Sequence, residues 1–143
     1  MSRAPLSPRS EYRCWTQVST RWHDNDVYGH VNNAVYYGWF DTAVNEFLIE
    51  NDLLDFAGND LIGLVVESGC RYAAPLAFPQ TIEIGLRIGK IGTSSVTYQL
   101  GAYAKGSEGA AAECRFTHVY VDRETRRPAP LPPVWRAILN ELI

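Results

Sequence analysis

The chain has 143 residues, 46% hydrophobic and 20% charged, with a formal net charge of −3; this is the balance of a water-exposed globular chain with one core, and the length sets a prior of one domain. The small negative charge excludes a basic face for nucleic acid, and no apolar run reaches membrane-spanning length. Cys14, Cys70 and Cys114 are odd in number and far apart, which excludes a paired disulfide framework or metal-ligand spacing and predicts reduced thiols in a cytoplasmic protein.

Residues 1–11 carry Arg3, Arg9, Pro5 and Pro8 without an apolar stretch or cleavage pattern. They are expected to form a flexible leader rather than a signal peptide, followed by a single domain over residues 12–143. From Tyr12 to Trp22, β-branched and aromatic residues alternate as in a strand. A polar loop follows from Asp24 to Asn33. From Ala34 to Asn51, apolar residues recur at Val35, Phe40, Ala43, Val44, Phe47 and Leu48, the spacing of a helix with one buried stripe. Asn32 or Asn33 suits its N-cap. Glu46, Glu50 and Asp52 crowd its far end, where the macrodipole disfavours negative charge.

Leu53 to Asp60 reads as a connector. Four strands are then expected: Leu61 to Tyr72, Thr81 to Lys90, Ser95 to Ala104, and Ala110 to Asp122. Gly85 and Gly101 inside them predict bulges or close backbone contacts. The run Lys105-Gly106-Ser107-Glu108-Gly109 signals a hairpin turn. Arg123 to Pro133 is polar and rich in proline, and Pro132-Pro133 can open a short helix over Val134 to Leu142. Short connections imply antiparallel pairing. The expected architecture is therefore α+β, with a curved antiparallel sheet wrapped around one long central helix.

The segment Trp22-His23-Asp24-Asn25-Asp26-Val27-Tyr28-Gly29-His30-Val31-Asn32-Asn33 concentrates polar groups just before that helix. Carboxylates, imidazoles and amides are rarely massed there for packing, because a buried carboxylate is costly without polar partners. A carboxylate beside a helix N-terminus can act as general base or as nucleophile. The free N–H groups near Asn33 and Ala34 can polarise a carbonyl oxygen. The plainer reading of Asp26 is an Asx-turn residue. Asp24 is expected to support the loop, His23 to be structural, and Gly29 to let the backbone turn. His30 either orients Asp26, contacts substrate or is structural. Asn32 and Asn33 are caps, or one of them positions water or a carbonyl, and Tyr36 and Tyr37 pack in the core, with one of the tyrosines available to line a pocket.

The pattern Asp24-x-Asp26-x-x-Gly29-His30-Val31-Asn32-Asn33, after a first strand and before a long helix, resembles the hotdog-fold acyl-CoA thioesterases of the 4-hydroxybenzoyl-CoA thioesterase type. Glu67-Ser68-Gly69-Cys70-Arg71-Tyr72 followed by Pro75 resembles that family's second strand and its turn. The resemblance spans Arg13 to about Asp122. It implies a hotdog fold with a five-stranded antiparallel sheet, a homodimer joined edge to edge and commonly paired into a homotetramer, and active sites at the dimer interface.

It also implies a small-molecule acyl-CoA substrate. Coenzyme A enters as part of that substrate, with no separate cofactor and no metal. Asp26 matches the family's catalytic aspartate, with the Asn33 backbone amide as oxyanion donor and His30 as a third candidate. Gly29, Asn32 and Tyr36 are candidate substrate contacts. Lys90 and Ser94, in the turn Lys90-Ile91-Gly92-Thr93-Ser94-Ser95, are the candidate grip on the nucleotide. Thr93 can add to it, and Arg71 and Arg87 are alternatives, although such a turn and strand-surface arginines are commonly just solvated. Two other functions fit the same fold. One is a non-catalytic acyl-CoA-binding protein. The other is a hydroxyacyl thioester dehydratase, disfavoured because the helix offers Asp41 and Glu46 but no histidine.

Overall fold

The computed structural model describes residues 5–54 and 60–143. Residues 1–4 of the expected leader and 55–59 of the expected connector lie outside the described residues.

The alternating segment forms β1 (Cys14–Ser19), with Cys14, Thr16 and Val18 turned inward and Trp15, Gln17 and Ser19 outward. It is shorter than expected at both ends. Thr20 leaves the ladder to hydrogen-bond Gln80 through both its backbone and its hydroxyl, and Trp22–Asp24 tighten into a single 3-10 turn. The helix α1 (Asn33–Glu50) buries Tyr36, Trp39, Phe40, Ala43, Val44, Phe47 and Leu48, at the three- and four-residue steps that keep one stripe on the core. Within its acidic far end, Glu46 accepts from the Thr16 hydroxyl at 2.6 Å, which ties the helix to β1.

Four further strands follow: β2 (Leu61–Tyr72), β3 (Thr81–Ile91), β4 (Ser95–Ala104) and β5 (Ala112–Asp122); a short helix α2 (Pro133–Asn140) ends the chain. Each neighbouring pair is antiparallel and the order is β1-β3-β4-β5-β2. The expected α+β architecture, a five-stranded antiparallel sheet around the helix, is the one the chain adopts. Register shifts between Val65 and Glu67 and between Ile88 and Lys90 add the local bend that lets the sheet curve. Ile82, Ile84, Leu86, Val96, Tyr98 and Leu100 meet Phe40 and Val44 of α1 in one cluster, each buried apolar side chain stabilising the fold by roughly 1.5–3 kcal/mol.

Gly85 and Gly101 are register partners on β3 and β4. They mark close contact rather than bulges: a Cβ on either would come within 2.7 Å of the Tyr12 side chain. From Ser7 onward the expected leader is hydrogen-bonded to the outer face of the sheet. The Tyr103 hydroxyl donates to the Ser7 carbonyl at 2.6 Å, the Ser7 N–H donates to Glu113 at 2.9 Å, and Arg9 pairs with Glu83 at 2.8 Å.

The strand order decides what meets the polar loop. Because β2 sits at the sheet edge beyond β5, its last residues and the turn into β3 return to the start of α1. Val31 donates its N–H to Leu76 at 2.7 Å, and Phe78 donates to the Asn25 side chain at 3.1 Å. Leu64, Val65 and Val66 stand exposed on that edge strand. Among the described residues no helix is long and apolar enough to cross a membrane.

Candidate active site

The polar loop is two turns with different chemistry. In the first, Asp24 is 1% exposed. Its Oδ2 accepts from the Arg21 N–H at 2.7 Å and its Oδ1 from the Arg21 guanidinium at 3.0 Å, while its carbonyl accepts from the Asn32 N–H at 2.8 Å. The carboxylate is consumed by the loop, so Asp24 supports the fold. His23 is exposed in the same turn and does not line the pocket described below.

In the second turn, Asp26 Oδ1 accepts from the Tyr28 N–H at 2.8 Å, the Asp26 N–H donates to His30 at 2.8 Å, and the Gly29 N–H donates to Asp26 at 3.1 Å. Gly29 has φ +80, a left-handed conformation that glycine adopts without Cβ strain. The Asx-turn reading of Asp26 is thus correct, and it is compatible with chemistry. The turn engages Oδ1 and holds the partly buried carboxylate at the mouth of a pocket.

That pocket has a volume near 370 Å³ and is lined by Asp26, His30, Val31, Asn33, Tyr36 and Tyr72, closed by the Ala73-Ala74-Pro75 turn. Asn32 is the N-cap. Its Oδ1 accepts from the Ala34 N–H at 2.9 Å and its carbonyl from the Val35 N–H at 2.9 Å. The cap occupies Ala34, which the sequence had offered as a second oxyanion donor. Among the described residues the Asn33 N–H has no backbone or side-chain acceptor, so it is the donor the helix start presents to the pocket.

Tyr36 is 3% exposed and packs edge-on to Tyr72 with ring centroids 5.2 Å apart. It fills the core and the pocket wall at once. Burial raises the pKa of both phenols, so they are neutral and donate. The Tyr72 hydroxyl donates to the Asn33 carbonyl at 3.2 Å. In the sequence Tyr72 belongs to the second-strand pattern, and nothing local to it signals contact with Asn33, 39 residues away.

The nucleotide candidates lie elsewhere. Lys90 is the last residue but one of β3, whose first residue Thr81 pairs with Ser19 near the loop, so Lys90 stands about 30 Å along the strand from that end. Ser94 is in the same far turn, where its carbonyl accepts from Tyr120 and the Thr93 carbonyl from Leu131. Within one chain, the structure brings together Asp26, His30, Asn33 and Tyr36 and separates them from Lys90 and Ser94. The alternatives Arg71 and Arg87 are engaged with Glu113 at 3.8 Å and Glu11 at 2.7 Å. Among the described residues no group of three metal-ligating side chains is found.

Comparison with known proteins places this geometry in context. The family described as Thioesterase-like superfamily matches residues 20–139. No curated protein matches the chain. Among solved structures, the PA5185 protein of Pseudomonas aeruginosa is 52% identical over 94% of each chain, with a TM-score of 0.90. The PA2801 protein of the same organism, described as a candidate thioesterase, is 28% identical over 86% of this chain and 95% of its own, with a TM-score of 0.80. A 1,4-dihydroxy-2-naphthoyl-CoA thioesterase from Synechocystis shares the fold at 18% identity and a TM-score of 0.80, over 90% of this chain and 96% of its own.

Proposed function

The chain belongs to the thioesterase-like superfamily, and we propose on that premise that it hydrolyses an acyl- or aryl-CoA thioester to the free acid and coenzyme A. The observation that carries the proposal is the pairing, in one pocket, of the Asp26 carboxylate with the unoccupied N–H of Asn33. The thioester carbonyl oxygen would accept from Asn33 at the positive end of α1. Asp26 would either take a proton from attacking water or attack the carbonyl carbon itself. The coenzyme A thiolate then leaves and is protonated. A general base typically contributes roughly 10²–10⁴-fold, and a well-placed oxyanion donor about 10²–10³-fold.

Assembly is part of the same reading. The exposed Leu64, Val65 and Val66 on the β2 edge suit pairing with a second copy, which would cover the bare strand. A homodimer, or a homotetramer of two such pairs, would also bring another chain's far turn, with Lys90 and Ser94, toward the Asp26 pocket. Light scattering after size-exclusion chromatography measures that state.

Thiol release across a panel of acyl- and aryl-CoA thioesters tests the activity. Turnover that Asp26→Asn abolishes supports hydrolysis. Binding without release points to an acyl-CoA-sequestering protein instead, and consumption of a hydroxyacyl thioester without thiol release points to dehydration.

A further inference from the structure

Two sulfur atoms beside the pocket take no part in the reaction proposed above. Cys70 on β2 and Cys114 on β5 are register partners across the edge pair of the sheet. The Tyr120 N–H donates to the Ser94 carbonyl at the entry to β4, so the even-numbered residues of β5 bond toward β4. Cys114 therefore faces Cys70 in a non-hydrogen-bonded pair. Such pairs bring Cα atoms to about 4.5 Å, inside the roughly 4.4–6.8 Å that a disulfide spans. All three cysteines are free thiols. Both border a surface depression near 460 Å³.

The two thiols are unequal. Cys70 is partly exposed and Cys114 is buried. The neighbouring Cys114 thiol, and less strongly the Tyr37 and Tyr72 hydroxyls, hold the Cys70 pKa below its ordinary value despite burial. The same contact, reinforced by burial, pushes Cys114 up. Thiolate character and access together select the sulfur that meets an oxidant. Cys14, on β1 at the opposite edge, is raised by burial to about 11.

We propose that Cys70 and Cys114 form a reversible oxidation site, closing an intrachain disulfide when a peroxide reaches Cys70, and that closure slows the Asp26 pocket. The Cys70 thiolate attacks one peroxide oxygen and breaks the O–O bond, giving a sulfenic acid and hydroxide. The Cys114 sulfur then displaces the hydroxyl group from Cys70 and forms the S–S bond, its proton leaving in water. In sum, two thiols and one hydrogen peroxide give one disulfide and two waters. Tyr72 links this chemistry to the pocket: two residues beyond Cys70 on β2, it packs on Tyr36 and holds the Asn33 carbonyl. Drawing Cys70 into a disulfide pulls on the strand end that carries Tyr72 and shifts the wall beside the oxyanion donor. The coupling to turnover rests on the thioesterase reading; the disulfide does not.

The full-length protein is treated with hydrogen peroxide, and its peptides are mapped without reductant. A Cys70–Cys114 link is expected in the wild type and in Cys14→Ser, and no link in Cys70→Ser or Cys114→Ser, each variant first shown to be folded by its melting curve. Thiol release is expected to fall by up to about 10²-fold, the cost of roughly an ångström of misplacement, and to return with dithiothreitol. Over-oxidised Cys70 without the link, or a link to Cys14, overturns the site. A Cys70–Cys114 link with unchanged turnover overturns the coupling. A reduced protein that hydrolyses no acyl-CoA overturns the thioesterase reading and the coupling with it, while the peptide map still decides the disulfide.

Discussion

The hydroxyl of Tyr72 donates to the carbonyl of Asn33 at 3.2 Å, across 39 residues of sequence. It fastens the end of the edge strand to the first residue of α1, so the pocket wall and its N–H donor move as one body. Tyr72→Phe removes the fastening and little else. The bond is exposed, water can replace it, and the stability change should stay below about 1 kcal/mol. Turnover should fall several-fold with KM nearly unchanged. Steady-state kinetics beside melting curves check both, and a lowered melting temperature with unaltered kcat would make the bond a fold contact alone.

Asp26→Asn should separate turn from chemistry. The asparagine carbonyl still accepts from the Tyr28 N–H, so the loop keeps its shape. The lost base or nucleophile costs roughly 10²–10⁴-fold in kcat. Circular dichroism melts should overlay those of the wild type, and near-normal thiol release would remove Asp26 from the mechanism.

Asp24→Ala should do the reverse. The buried carboxylate satisfies the Arg21 backbone N–H, and its removal leaves that donor without its partner at a cost of about 1–3 kcal/mol. The Arg21 side chain is 64% exposed and rehydrates, so the ion pair itself contributes little. Chemical denaturation should show the loss. At temperatures where the variant remains folded, its kcat should stay close to that of the wild type.

His118 gives a pH signature unrelated to catalysis. It is 5% exposed, and among the described residues neither ring nitrogen has a hydrogen-bond partner. Burial lowers its pKa, partly opposed by Asp41 on α1. The folded state therefore resists a proton that the unfolded chain accepts near pH 6.5. Stability should fall as pH drops through that value toward the depressed folded pKa, and should not depend on His118 above it. His118→Phe removes two unsatisfied nitrogens, so the variant should melt no lower than the wild type at neutral pH and lose less on acidification. A steeper acid loss in the variant would contradict this account.

The parts of the fold written in local periodicity were legible in the sequence. The α1 stripe, the four later strands and the Asp26 to Gly29 turn each depend on residues a few positions apart. Tyr72 and Asn33, Ser7 and Tyr103, and Thr20 and Gln80 meet only because β2 pairs beyond β5, a choice that no short window records. The same order carries Lys90 and Ser94, the candidate nucleotide grip, to the end of β3 away from Asp26 of the same chain. The close approach behind Gly85 and Gly101 was anticipated, but its partner Tyr12 depends on an outer-face packing that alternation alone does not specify.

The two borders of the sheet are unequal: β1 has 6 residues and β2 has 12. Copies added head to tail, β1 against β2, would leave half of each long border without main-chain partners. Two long borders laid against each other satisfy both at once and leave only the short ones outside. In the homodimer proposed above, the inequality would act as a stop signal, favouring a closed pair of chains over an open-ended filament.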